Sequence, residues 1–164
     1  MRVATPRPTG TWANTVTAVE PILDQLNLVV RDMERSLEFY RAIGLTVPDE
    51  TVWRTQTGPH HVEVKMPNGF ELALDSEALA EVYDEGWQPF KGEGNRTVMS
   101  FRLGDANDVD AVYHRVVALG FGSSQAPYYA FWGSRYAIVV DPDGNHVGLM
   151  SPPDPTRRAM PPDI

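Results

Sequence analysis

A strand pair built around a tight turn occurs twice in this chain, and that repetition constrains the fold more than any other feature. Residues 132–150 read WGSRYAIVVDPDGNHVGLM: a β-branched apolar run, AIVV, breaks at DPDGN and resumes as an alternating run from His146. High Val density favours a strand, Asp-Pro and Asp-Gly supply turn chemistry, and Gly144 is free to take positive φ, so the segment predicts a hairpin. A weaker copy lies upstream as HVEVK (61–65), MPNG (66–69) and FELAL (70–74). The same series precedes each hairpin. An apolar strand at 22–30, Asp32 and a helical stretch ending at Gly44 lead into the first. A strand at 98–103, the acidic segment 105–108 and a helical stretch ending at Gly120 lead into the second. The halves are offset by roughly 73 to 76 positions, and each reads strand, helix, then three strands.

The predicted fold class is therefore α+β: two tandem β-α-β-β-β modules forming a cupped mixed sheet with helices outside. The divisions that follow are an N-terminal arm at 1–20, a single domain at 21–150 and a C-terminal tail at 151–164. Within the domain, module one spans about 21–76, a linker 77–95 and module two about 96–150, by the offset of the repeat. The arm is rich in Thr and Pro without apolar periodicity and reads as extended chain, and the Pro-rich tail reads as irregular.

Alternation sorts the strand residues by face. In the first strand Leu26, Leu28 and Val30 point to the helix, while Gln25, Asn27 and Val29 point to an open cavity. In the fourth, Phe70, Leu72 and Leu74 take the helix side, and Glu71, Ala73 and Asp75 the cavity side. Val98, Ser100 and Arg102 share one face of the fifth strand, opposite Met99, Phe101 and Leu103. Asp32 reads as an N-cap for a helix with the stripe Met33, Leu37, Tyr40 and Ile43, widened by Phe39. A second helix from about Asp108 to Leu119 is expected to carry Val109, Val112, Val116 and Leu119 along one stripe. Residues 46–57, with Trp53, predict the second strand and its lead-in, set apart from the third by Pro59 and the turn before it. A short helix is expected at 77–83. Trp87 and Phe90 sit in a Gly/Pro segment where aromatics can cover a ligand, and Tyr128, Tyr129, Phe131 and Trp132 form a cluster suited to core, interface or a groove for a flat ligand.

Composition removes several function classes. The 164 residues contain no cysteine, which excludes thiolate nucleophiles, disulfides and cysteine metal sites. A net charge of −8, from 14 basic and 22 acidic residues, argues against a nucleic-acid partner. No apolar run reaches membrane-spanning length and no secretory-type core is visible, so the expectation is a cytoplasmic protein without a membrane partner. No serine is paired with a base in a motif, and no phosphate-cradling Gly loop appears.

The paired pattern resembles the vicinal oxygen chelate superfamily, which includes glyoxalase I, bleomycin-resistance proteins and extradiol dioxygenases. The residues carrying the resemblance are VRDMERSLEFYRAIGL (30–45), residues 108–120 and WGSRYAIVVDPDGNHVGL (132–149). The resemblance implies a cup between sheets, and, in metal-dependent members, His, Gln or Glu ligands from the first and fourth strands of each half. Those positions here are Gln25, Ala73, Val98 and Gly148, of which only Gln25 has a ligating side chain; a catalytic metal normally wants about three. The reading is therefore a metal-free binder of a small organic molecule, with no cofactor, closer to the bleomycin-resistance branch and suited to sequestering a toxic or cationic aromatic compound. Gln25, Asn27, Trp53, Glu71, Ser100, Arg102, Trp132 and His146 are expected to line the cup. Trp53 and Trp132 would stack on the ligand, Glu71 would meet a cation, and Arg102 an anion or carbonyl. Two alternatives stay open. One is a metal-dependent lyase, isomerase or dioxygenase using a displaced set, Gln25, Glu71 and His146. The other is a metal-free pathway isomerase in which a carboxylate such as Glu71 or Asp75 moves a proton. The resemblance also implies a homodimer.

Overall fold

The computed structural model describes residues 21–89, 91 and 97–163. The N-terminal arm and Phe90 lie outside the described residues. Module one runs through strand β1 (Gln25–Val30), helix α1 (Met33–Ala42), β2 (Trp53–Thr55), β3 (Gly58–Lys65), β4 (Glu71–Ser76) and α2 (Glu77–Tyr83). Module two runs through β5 (Val98–Arg102), α3 (Ala106–Ala118), β6 (Gly122–Tyr129), β7 (Arg135–Val140) and β8 (His146–Met150). The two sheets have the same order, β1-β4-β3-β2 and β5-β8-β7-β6, with the first strand of each parallel to its neighbour and the rest antiparallel. The duplication read from the sequence is thus the architecture. Each module closes its own four-stranded sheet, and among the described residues β1 and β5 each pair on one side only.

The helices cover one face of each sheet because the stripes are apolar at helical spacing. Leu37, Phe39, Tyr40 and Ile43 of the first helix are buried against Val30, Val62, Leu72 and Leu74, and Val109, Val112 and Val116 against Val139, Val147 and Leu149. Asp32 caps α1 through the Arg35 N–H at 3.0 Å, as expected. α3 starts earlier than the apolar stripe suggests: Asp105 is its N-cap, and Asp108 returns a bond to the Asp105 N–H in a reciprocal capping box.

One segment departs from expectation. The second strand is only Trp53–Thr55, because Pro48 has no N–H to give and its carbonyl instead accepts from the Thr51 hydroxyl (2.7 Å) and N–H (3.1 Å), curling 49–51 into a 3-10 turn. Pro59 does not divide two strands; it lies in β3 opposite Arg54, beside a register shift where a missing donor is tolerated.

The modules meet through α1, α3 and the turn 141–145. The Tyr40 hydroxyl donates to Asp141 at 2.9 Å, and burial together with that carboxylate pushes its phenol pKa well above the ordinary value. Asp141 is 4% exposed and also accepts from the N–H groups of Asp143 and Asn145, so the turn is a buried junction as well as a hairpin. Arg31 pairs with Asp143 at 2.9 Å, the Arg115 guanidinium donates to the Ala42 carbonyl at 2.7 Å, and Phe121 packs edge-on against Phe39. The tail, read as irregular, forms a 3-10 turn at Pro155–Arg157 that lays Arg157 over the Tyr129 ring. No helix among the described residues is long and apolar enough to cross a membrane.

Candidate ligand-binding faces

Since a strand alternates, the face of each sheet turned away from α1 or α3 carries the residues that the core does not use. Strand register orders them. On module one, Gln25, Glu71 and Lys65 lie side by side, then Asn27, Ala73 and Glu63, then Val29, Asp75, His61 and Trp53. On module two the rows are Val98, His146 and Val140; Ser100, Gly148 and Ile138; Arg102, Met150, Tyr136 and Tyr128. Seven of the eight predicted residues sit on these faces, four per module counting Trp132, which follows β6 and touches Tyr136 edge-on with ring centroids 5.3 Å apart.

On module one's face the acidic groups are paired within the molecule, while Gln25 is exposed without a side-chain partner among the described residues. Asp75, 1% exposed, accepts from Asn27 Nδ2 (2.7 Å), the Tyr83 hydroxyl (3.1 Å) and His61 Nδ1 (2.6 Å). A buried carboxylate needs such donors, because desolvation without them costs several kcal/mol, about 3 or more. Two of the three come from residues that the sequence reading did not place in the cup, His61 and Tyr83. Tyr83 arrives because β4 runs directly into α2, capped by Ser76 through the Leu79 N–H, and the helix turns back across β1, β3 and β4. Burial and the Asp75 contact raise the Tyr83 pKa. Glu71, expected to meet a ligand cation, is instead 3.1 Å from Lys65 Nζ. His60 is likewise engaged, with Nδ1 at 2.9 Å from the Ser76 hydroxyl and Nε2 between the Thr55 and Thr57 hydroxyls. Trp53 remains half exposed at the sheet edge.

Module two's face is different in kind. Tyr136 is the hub of an aromatic group, edge-on to both Trp132 and Tyr128, with Phe131 against Trp132. Its hydroxyl and the Ser100 hydroxyl crowd the space above Gly148: a Cβ there would collide with Ser100 Oγ and stand 2.7 Å from the Tyr136 oxygen. Arg102 is exposed on the adjoining row. Tyr136 was not among the predicted lining residues, though its alternation with Ile138 and Val140 places it there.

The residues present do not fit a metal within one chain. Gln25 and Glu71 are neighbours, but His146 belongs to the other sheet. The remaining usual positions hold Ala73, Val98 and Gly148. Among the described residues no three His, Cys, Asp or Glu side chains converge on a common point. Two surface cavities lie away from the predicted residues. One of 390 Å³, with Arg31, Glu34 and His60 in its walls, lies at the start of α1, and one of 210 Å³, with Asp105, Tyr129 and Arg157, at the start of α3; none of the eight predicted residues lines either. An open sheet face is a surface rather than a cavity until something lies against it.

Comparison with known proteins gives a consistent picture. The family described as Glyoxalase/Bleomycin resistance protein/Dioxygenase superfamily matches residues 22–149. The uncharacterized protein Mb0911c of Mycobacterium bovis is 28% identical over 138 residues, covering 82% of this chain and 85% of that relative. A crystal structure of a glyoxalase/bleomycin resistance protein/dioxygenase from Nocardioides is similar with a TM-score of 0.60 and 25% identity, covering 91% of this chain and 93% of that one. A glyoxalase-related enzyme from Fulvimarina pelagi, 22% identical, shares the fold with a TM-score of 0.64 over 82% of this chain and 89% of that one.

Proposed function

This chain belongs to the Glyoxalase/Bleomycin resistance protein/Dioxygenase superfamily, and from that premise we propose that it binds a small organic molecule on its open sheet faces without a catalytic metal. The observation that carries the reading is the face of module two. There, the Ser100 and Tyr136 hydroxyls stand over Gly148, the position at which the resemblance would put a metal ligand, the partly exposed rings of Trp132 and Tyr128 lie edge-on to Tyr136, and Arg102 is exposed one row along β5. Flat apolar contact with a few convergent polar groups is what a small-molecule site requires.

A second copy of the chain would turn these open faces into a cup. β1 and β5 each leave one backbone edge without a strand partner among the described residues, and Val98, Ile22 and Leu23 beside them are exposed. Such edges favour pairing or covering. Sedimentation velocity should therefore give a homodimer.

Elemental analysis after adding back Zn, Ni, Mn or Fe(II) and dialysing tests the metal-free part. Substoichiometric metal in every case is the expected result. About one ion per chain, lost in Glu71→Ala or His146→Ala, would overturn it and support the enzyme with the displaced set, since those residues can meet only across two chains or two sheets. Quenching of tryptophan fluorescence by aromatic compounds tests the binding part.

A further inference from the structure

Resting on the small-molecule reading above, we propose that the ligand is an organic anion, its charged oxygen held on module two by Arg102, Ser100 and Tyr136. Its flat body would lie against Trp132 and Tyr128. Three observations lead there. First, the Arg102 guanidinium, the Ser100 hydroxyl and the Tyr136 hydroxyl have no hydrogen-bond or ion-pair partner among the described residues. Within the described chain these donors are not committed to the fold.

Second, the surrounding face has no carboxylate. Its rows hold Val98, His146 and Val140, then Ser100, Gly148 and Ile138, then Arg102, Met150, Tyr136 and Tyr128. In a chain of net charge −8 with 22 acidic residues, a sheet face that carries an arginine and no acid is poorly suited to a cation. The acids on the opposite module do not change this, since Glu71 and Glu63 share Lys65, at 3.1 and 3.8 Å from its Nζ, and Asp75 is closed off by its three donors.

Third, Gly148 makes the donor group possible. Without a side chain at 148 the Ser100 hydroxyl from β5 and the Tyr136 hydroxyl from β7 both close over the β8 backbone, so the two donors stand near each other on the sheet face. A guanidinium offers paired N–H groups in the plane that a carboxylate presents, and charge-assisted bonds of this type are roughly twice as strong as neutral ones. The rings of Trp132 and Tyr128, set edge-on to Tyr136, provide an apolar wall beside its hydroxyl-bearing ring. The family's metal would hold a ligand oxygen with a cation; here a side-chain cation and two hydroxyls would take that part.

The test is a fluorescence titration of the full chain with three probes that share one ring system: naphthoate, naphthylmethanol and naphthylmethylammonium. Naphthoate should bind at least about tenfold more tightly than the ammonium, a difference of about 1.4 kcal/mol. Its affinity should weaken with salt, because an exposed guanidinium is screened. Arg102→Met should remove most of the preference and Arg102→Lys part of it, with an unchanged thermal midpoint showing that the exposed substitution leaves the fold intact. Tyr136→Phe should weaken naphthoate and leave naphthylmethanol as it was. Equal or tighter binding of the ammonium, or naphthoate binding indifferent to Arg102→Met, would overturn the anion proposal while the small-molecule reading stood. Failure of all three probes to bind at millimolar concentration would overturn both.

Discussion

On the open face of module one, Asp75 gathers three donors and Glu71 is held by Lys65; on the matching face of module two, Arg102, Ser100 and the Tyr136 hydroxyl have no partner among the described residues. The two sheets have one topology and one strand order. What differs is which short segment follows the fourth strand. After β4 the chain forms α2, whose Tyr83 completes the Asp75 network, whereas after β8 it leaves as the tail whose 3-10 turn docks at Tyr129, near the β6–β7 turn. Duplicated modules can thus diverge: one face closes on itself as a structural lock, and the other keeps donors that the fold does not use. A polar group already engaged inside the molecule contributes to stability, and one left free contributes to recognition.

Stability measurements should separate the two faces. Asp75→Ala would leave Asn27, His61 and Tyr83 without their common acceptor and is expected to cost about 3 kcal/mol in urea unfolding. A loss below about 1 kcal/mol would show that the network is not a lock. Tyr83→Phe removes one bond of that network and should cost about 1 kcal/mol. Its pH dependence carries a sign. The folded Tyr83 pKa is raised above the ordinary 10.0, so its contribution is fully present below that value and is lost as pH rises through the raised one. The stability gap between the native chain and Tyr83→Phe should therefore narrow in strongly alkaline solution.

Smaller effects sharpen the same contrast. Glu71→Gln breaks a pair whose lysine is mostly exposed, and should change unfolding by under about 1 kcal/mol, less still at high salt. Arg102→Met and Ser100→Ala on module two should leave stability within about 0.5 kcal/mol while altering ligand affinity. A large loss of stability from Arg102→Met would mean that this side chain is engaged in the fold, and the contrast between the faces would fail.

Much of the fold was legible because it follows from local periodicity. The stripe from Met33 to Ile43, the alternation in β1, β4 and β5, and the twice-used turn each reflect a repeat of 3.6 or 2 residues with its punctuation. Alternation also put Gln25, Asn27, Glu71, Ser100, Arg102 and His146 on the open faces. The stretch 46–57 does hold the second strand with its lead-in, but alternation did not show how short the strand is, Trp53–Thr55, or that Pro48 turns the lead-in into a 3-10 turn. For the site, sequence alone favoured Glu71 as the contact for a cation, and the structure gave that carboxylate to Lys65 across a strand pair. It also missed His61 and Tyr83 as partners of Asp75, since neither spacing nor motif announces a contact made between β3, β4 and a following helix.

The sequence by itself determined the duplication, the strand and helix order, the identity of the core and the absence of ligating side chains at Ala73, Val98 and Gly148. These depend on residue type and short-range spacing, which a linear reading carries in full. Only the tertiary structure decided which charges are neutralised and which remain free, how Asp141 joins the two modules, and why a glycine at 148 matters. Those are properties of side chains brought together from distant segments, and a hydrogen bond or ion pair exists only once its two partners are placed within reach.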